Sequence, residues 1–223
     1  MKIWMVIPAY NEARSLERIL RRLKEKNLNI IVVDDGSKDS TYAVAKIKAD
    51  IVLRNEKNLG KGMALRRAIT FLLENEKFDY IITMDGDGQH SVSDVDKFIS
   101  EADKGENLVV GNRMDNPIGM PKTRILTNKL MSWLLSKMVS QTIADTQCGF
   151  RLINREVLEK IKFRTNKFEV ESEILVKAAK EGFTIKSIPI QSIYFRRIKS
   201  KIHPFLDTFR FIRFLCTLND KES

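Results

Sequence analysis

A mainly parallel α/β sheet domain is what this sequence predicts, on two observations. Short apolar runs alternate with stretches whose apolar residues recur at helical spacing, from the first residue onward. Several runs, IIVVDD at 30–35 among them, are apolar without alternation, the pattern of a strand covered on both faces by helices. No Gly-, Ser- or Pro-rich linker divides the chain, so one domain is expected over residues 1–202, with a distinct C-terminal element over 203–223.

Residues 3–7 form the first predicted strand. Leu16, Ile19, Leu20 and Leu23 then fall on one helical face. After the strand at 30–35 come a helix at 41–48, a strand at 51–53, a helix at 63–73 and a strand at 79–85. A helix at 92–102, with Ser91 or Ser93 available as its N-cap, precedes the strand LVVGN at 108–112. Beyond residue 113 the β runs thin out and basic residues become more frequent. A helix is expected at 122–140, a polar loop re-entering the body at 142–152, and a helix at 171–180. FTIKSIPIQSIYF at 183–195 reads as a strand pair or as one strand kinked at Pro189, because proline cannot donate to a ladder.

In the last predicted helix Phe205, Phe209, Ile212 and Cys216 line one side, and Asp207, Arg210, Arg213 and Thr217 gather opposite. Residues 194–213 hold six Lys or Arg against one Asp. An apolar, aromatic face with a basic rim is the composition of an interfacial membrane helix; packing on the protein's own core or on a second subunit is the alternative.

The whole chain is basic, with 39 Lys and Arg against 29 Asp and Glu, a net charge of +10. That field favours polyanions: nucleic acid, anionic lipid or phosphorylated substrates. Nucleic acid is not expected, because no aromatics interleave the basic runs to stack bases, and a nucleic-acid module leaves the acidic motifs below unexplained. Two distant cysteines, Cys148 and Cys216, give neither a disulfide framework nor a zinc site. The N-terminal apolar run is too short for a signal-peptide core, and no window reaches the roughly 18 apolar residues of a membrane span. A cytoplasmic protein is expected, peripheral at a membrane face if the last helix is interfacial.

Chemistry concentrates at strand ends. TMDGDGQH at 83–90 runs an apolar strand into two carboxylates separated by one glycine. Such a pair repels, and burial without compensation would cost several kcal/mol, so a divalent cation or a solvated turn must meet it. In parallel sheets ligands bind beyond the carboxyl ends of the strands, so Asn11-Glu12, Asp34-Asp35 and Asp85-Asp87 are expected to face one crevice. Tyr10 suits a nucleotide base, and Asn11 and Glu12 suit hydrogen bonds to it or to a ribose. Asp35 can accept from a uracil imide or a ribose. NLGKG at 58–62 places Lys61 and Gly62 before a helix, as a phosphate-side contact. Neither a GxxxxGK[ST] nor a GxGxxG motif occurs, which argues against an NTPase or a dinucleotide enzyme.

PAYNE, VDDGS, LGKG and DGDGQH, in that order, resemble the family-2 inverting glycosyltransferases of the GT-A fold, and among them the polyprenyl-phosphate sugar synthases that include dolichol-phosphate mannose and glucose synthases. The resemblance covers nearly the whole chain. It implies that Asp85 and Asp87, with Gln89 as a further ligand, hold Mg2+ or Mn2+ against the donor diphosphate. It also implies that Pro8, Tyr10, Glu12, Asp35 and Gly86 line the nucleotide-sugar site. GNR at 111–113 resembles a Gly-Ser-Arg element with Asn112 in the serine position, and Arg124 matches a second arginine, with Asn128 where serine is frequent. By that resemblance Arg113, Arg124 and Asn128 hold the acceptor phosphate, which a guanidinium fork fits well. ADTQCGFRL at 144–152 resembles the loop beside the reacting sugar, in a version nearer the glucose branch, and FEVESEIL at 168–175 a Phe-Glu-x-Glu segment. Arg196, Arg197, Ser200 and Lys201 resemble a mobile basic loop over the donor phosphates.

The implied reaction is a single inverting displacement of a nucleoside diphosphate by a polyprenyl-phosphate oxygen. A phosphate acceptor is already anionic and needs no strong base. The alternative, a sugar or small-molecule hydroxyl, does need one, and Asp145 is the candidate. Sugar and nucleotide identity stay open between UDP-glucose and GDP-mannose types, and a homo-oligomer is neither required nor excluded.

Overall fold

The protein is described here by a computed structural model covering residues 1–161 and 169–193. Phe168, Arg196, Arg197, Ser200, Lys201 and the helix expected at 203–223 lie outside the described residues.

Among the described residues seven strands make one sheet: β1 (Ile3–Ala9), β2 (Asn29–Asp34), β3 (Ile51–Arg54), β4 (Tyr80–Thr83), β5 (Leu108–Asn112), β6 (Arg151–Asn154) and β7 (Ile185–Pro189), in the spatial order β3-β2-β1-β4-β6-β5-β7. The helices are α1 (Ala13–Lys24), α2 (Thr41–Lys48), α3 (Lys61–Asn75), α4 (Val95–Asp103), α5 (Lys122–Val139), α6 (Arg155–Lys160) and α7 (Glu169–Lys180). β1 to β4 are mutually parallel, as are β5 and β7, whereas β6 runs antiparallel to both of its neighbours. The expected α/β class and mainly parallel sheet are what the structure has.

The unalternating runs are the buried ones. Ile30 to Val33 and Met5 to Ile7 are fully enclosed, because α3 packs on β1 and β2 and α4 on β4 and β6. The predicted stripe of α1, Leu16, Ile19, Leu20 and Leu23, is its buried face. β2, β1 and β4 are parallel neighbours, so the segments after Ala9, Asp34 and Thr83 leave the sheet along one edge. Asp35 N–H donates to Ala9 O at 2.9 Å and Met84 N–H to Val6 O at 3.0 Å, which holds those exits side by side.

Three readings need correction. Residues 142–152 are not loop throughout: the chain enters β6 at Arg151, and α6 follows directly. β6 has only four residues and its first is arginine, so no periodicity marked it. The described part of the next stretch, residues 183–193, holds one strand, which ends at Pro189; Ser192 then makes an isolated antiparallel bridge with His90. Ser91 takes the N-cap position of the helical entry, but neither its hydroxyl nor that of Ser93 makes a capping bond. Their hydroxyls meet each other at 2.6 Å, and the chain enters α4 through a 3-10 turn at Val92–Asp94.

Arg151 explains why β6 sits where it does. The side chain is fully buried and donates to three backbone carbonyls: Nε to Cys148 O at 2.8 Å, Nη2 to Thr146 O at 2.8 Å, and Nη1 to Glu171 O. One guanidinium therefore ties the 146–148 loop to the start of α7. Arg151→Met keeps the length but removes all three bonds and deprives the buried loop carbonyls of Cys148 and Thr146 of this donor, and should cost at least about 2 kcal/mol. A urea midpoint equal to that of the parent would contradict the role.

Candidate functional site

The site is built on the sheet edge just described. Asn11 takes the left-handed backbone conformation (φ 56°), donates its N–H to Ser37 Oγ at 2.9 Å, and accepts Lys38 N–H on Oδ1 at 2.8 Å. Glu12 N–H donates to Thr41 Oγ1 at 2.8 Å. The turn after β1 is thereby locked to the turn after β2. Tyr10 and Glu12 are half-buried there, and Pro8 is buried inside β1, its carbonyl beneath Gly86.

Asp35 is buried and already holds a loop. Its Oδ1 accepts from Asn55 Nδ2 at 2.7 Å and Leu59 N–H at 2.9 Å, and its Oδ2 accepts Gly60 N–H at 2.8 Å. Gly36 makes this closeness workable: at φ +73° its Cα lies so near Lys57 that an added Cβ would fall 2.5 Å from that residue's backbone carbon. Asp35 thus sets where the 59–62 loop enters α3.

Lys61, at the start of α3, reaches across to the acidic loop. Its Nζ lies 2.5 Å from Asp85 Oδ1 and 2.8 Å from Glu171 Oε1 on α7, and His90 Nε2 lies 3.4 Å from Asp85 Oδ2. Gly149 closes over this cluster so tightly that an added Cβ would stand 2.5 Å from Lys61 Nζ, 2.8 Å from Glu171 Oε1 and 2.9 Å from Asp85 Oδ1. Burial works against the charged form of both Asp85 and Lys61. The pairing outweighs it, so Asp85 is held well below the usual carboxylate range and Lys61 above the usual lysine range.

Asp87 differs. Its Oδ1 accepts Gln89 N–H at 2.9 Å, but burial and the Asp85 charge together raise its pKa. Asp87 is therefore an acid with insufficient positive charge beside it, close enough to Asp85 to feel its charge. Hard oxygen donors short of a cation suit Mg2+ or Mn2+. Among the described residues no group of three His, Cys, Asp or Glu side chains is placed to hold a metal by itself.

A second cluster lies at the other end of the 145–149 loop. Asp145 is fully buried, and the Arg113 fork grips it: Nε to Oδ2 at 2.6 Å and Nη2 to Oδ1 at 2.9 Å. Asn128 Nδ2 donates to Asp145 Oδ1 at 2.6 Å, and Ser132 Oγ donates to Asn128 Oδ1 at 3.0 Å. Burial would raise the Asp145 pKa, but Arg113 and Asn128 hold it below the usual range. Such a carboxylate is a weak base. Arg124 is half-buried on α5, one turn before Asn128.

The structure thus gathers the sequence-predicted residues into two groups, Asp35–Lys61–Asp85–Asp87–Gln89 and Arg113–Asn128–Asp145, joined by five residues of loop. Sequence reading passed over His90, Glu171, Gly149 and Arg151. His90 stood in the quoted acidic motif and Glu171 in FEVESEIL, but nothing in one dimension shows that both reach the Lys61–Asp85 pair.

Comparison with known proteins adds to this geometry. The family model described as glycosyl transferase family 2 matches residues 4–162. The chain is 32% identical to the UDP-N-acetylglucosamine–dolichyl-phosphate N-acetylglucosaminyltransferase of Methanococcus voltae, over 86% of each chain. It is 32% identical to the dolichyl-phosphate beta-glucosyltransferase of Saccharomyces cerevisiae, over 83% of this chain and 65% of that one. Among solved structures, glucosyl-3-phosphoglycerate synthase from Mycobacterium tuberculosis, crystallised with Mn2+, UDP and glucosyl-3-phosphoglycerate, superposes with a TM-score of 0.73 at 20% identity, over 97% of this chain and 79% of that one. The fold is the GT-A fold.

The two acids should respond oppositely to neutralisation. A raised folded pKa means that the ionised group costs stability above it, and a depressed one that the ionised group adds stability above its unfolded value. Asp87→Asn should therefore raise Tm at pH 7, and Asp85→Asn should lower it, each by roughly 2–4 °C, the shift that about 1 kcal/mol produces in a chain of this size. Thermal unfolding without divalent cation checks both signs. A fall in both variants would remove the distinction.

Proposed function

This chain belongs to glycosyl transferase family 2 and is a glycosyltransferase related to the dolichyl- and polyprenyl-phosphate sugar transferases; from that premise we propose that it transfers a hexose from a nucleotide sugar to a polyprenyl phosphate with inversion. The observation that carries the acceptor class is the state of Asp145. A hydroxyl acceptor needs a base, and the candidate carboxylate, Asp145, is buried, doubly bound by Arg113 and poor at taking a proton. A phosphate acceptor arrives ionised and does not ask for one.

In this reading Tyr10, Asn11, Glu12 and Asp35 face the nucleoside, with Pro8 and Gly86 forming the floor beneath it. Asp35 acts twice, toward the donor and toward the 59–60 backbone that aims Lys61 and Gly62. Asp85, Asp87 and Gln89 would hold Mg2+ or Mn2+, with donor oxygens completing the shell. When bound, that ion supplies Lewis-acid stabilisation of the departing diphosphate. Lys61 keeps Asp85 ionised and oriented, and Gly149 keeps the loop low enough for the sugar to lie above it. Arg113, Arg124 and Asn128 hold the acceptor phosphate in line with the anomeric carbon; Asp145 fixes the Arg113 fork so that no reorganisation is needed as charge moves. Arg196 and Lys201 are assigned to the leaving phosphates. Ile193 N–H donates to Gln89 O at 2.9 Å, so the chain leading to them departs from beside the acidic loop. Contact of residues 203–223 with the cytoplasmic membrane face completes the proposal.

A panel of labelled sugar nucleotides, incubated with manganese and polyprenyl phosphate, tests the reading. One donor should carry label into the organic phase, and donor turnover without lipid product would overturn the acceptor class. Arg124→Ala should weaken acceptor affinity about tenfold or more and leave nucleotide affinity unchanged, since a charge-assisted contact to phosphate is worth roughly 1.5–3 kcal/mol. Equal losses for both substrates would displace Arg124 from the acceptor side.

A further inference from the structure

Lys61 already occupies an oxygen that an ion at the acidic loop would draw on. Asp85 has two carboxylate oxygens and both are faced, Oδ1 by Lys61 Nζ at 2.5 Å and Oδ2 by His90 Nε2 at 3.4 Å. The Asp85 side chain keeps 25% of its surface exposed, so an ion can reach it from solvent. A divalent cation shared between Asp85 and Asp87 therefore meets an ammonium in its way, and two cations against one carboxylate repel each other. His90 is the looser contact, and its backbone is tied to Ser192. Lys61 is the group that must yield.

It has somewhere to go. Glu171 Oε1, on α7, lies 2.8 Å from Nζ, is buried, and makes no hydrogen bond of good geometry among the described residues. Neutralising Asp85 alone needs one lysine and no second acid. A buried carboxylate on the far side of that lysine carries a desolvation cost, and it is explained if the lysine has to be held after Asp85 is given up. An ammonium on a flexible four-carbon stem can lean from one acceptor to the next. Gly149 leaves the space for that movement, with no side chain of its own and with its carbonyl accepting Thr83 Oγ1 at 2.7 Å. We propose that Lys61 is a placeholder cation: in the metal-free protein it bridges Asp85 and Glu171, and when a divalent ion takes Asp85 it withdraws to Glu171 alone. Asp85 is thus kept ionised by one cation until another replaces it. The inference rests on the metal assignment to the acidic loop made above.

Lysine ammonium resonances of the full-length, 15N-labelled protein test this, because an ion-paired ammonium exchanges slowly with water and one released to water loses its signal. Lys61→Arg identifies the Lys61 signal, and the Gln89 backbone amide, which donates to Asp87 Oδ1 at 2.9 Å, reports an ion at the acidic loop. Mg2+ alone is titrated. In the parent, the Gln89 amide and the Lys61 signal should shift with one midpoint, and the Lys61 signal should persist at saturation. In Glu171→Gln the signal should be present before Mg2+ is added, since Asp85 still holds the lysine, and should disappear as Mg2+ saturates. Affinity for Mn2+, read from the paramagnetic resonance of the free ion, should tighten about tenfold or more in Lys61→Met, where no cation has to leave. A Lys61 signal that stays unshifted in the parent, one that persists in Mg2+-saturated Glu171→Gln, or Mn2+ binding no tighter in Lys61→Met would overturn the handover and leave the ion at the loop. A Gln89 amide that ignores Mg2+ would remove the ion from the loop and the handover with it. Transfer of labelled sugar to polyprenyl phosphate reads the proposed function separately.

Discussion

The Lys61 ammonium, set between Asp85 and Glu171, is the contact on which the site depends. It joins the start of α3, the loop after β4 and the first turn of α7, three segments far apart in the chain. Without that cation the loop would hold two carboxylates two residues apart, and one of them would take up a proton rather than stay charged. With it, Asp85 stays ionised, and the remaining deficit of positive charge is concentrated on Asp87. In the proposed reading that deficit is where the divalent cation would bind. Gly149 belongs to the same constraint, since any side chain there would enter the space of the three charged atoms.

A second buried pair, Arg113 with Asp145, meets the first through the 145–149 loop, and Arg151 braces that loop from below with three backbone hydrogen bonds. Buried ion pairs are seldom a large net source of stability, because desolvation cancels most of the attraction. Their value here is geometric. Asn128 and Ser132 complete the network, so the guanidinium fork, the carboxylate and the amide are each held by a neighbour. With its carboxylate held ionised by the Arg113 fork and the Asn128 amide, this cluster is poorly suited to removing a proton from an alcohol.

The fold was legible in the sequence where strands are buried on both faces: β1, β2, β4 and β5 are apolar without interruption, and helix α1 shows its stripe plainly. It was not legible at β6, where four residues beginning with arginine carry no period, nor at the entry to α4, where Ser91 and Ser93 bond each other. For the proposed site, the ordered motifs singled out Asp35, Lys61, Asp85, Asp87, Arg113 and Asp145, because acids at strand ends and glycine-flanked turns are local signals. What they could not show is pairing. Lys61 with Glu171, and Asp145 with Arg113 and Asn128, are long-range contacts made by the crossover of α5, β6 and α7.

The claim that unites these features is that the acceptor must arrive already ionised. The most direct measurement offers the full-length protein, with manganese and its preferred sugar nucleotide, two acceptors identical in chain and differing only at the end group, a polyprenyl phosphate and the corresponding polyprenol. The account predicts a glycosylated product from the phosphate and none from the alcohol across neutral pH. Transfer to the alcohol at a comparable rate, lost on Asp145→Asn, would mean that Asp145 leaves Arg113 to act as a base, and would contradict it.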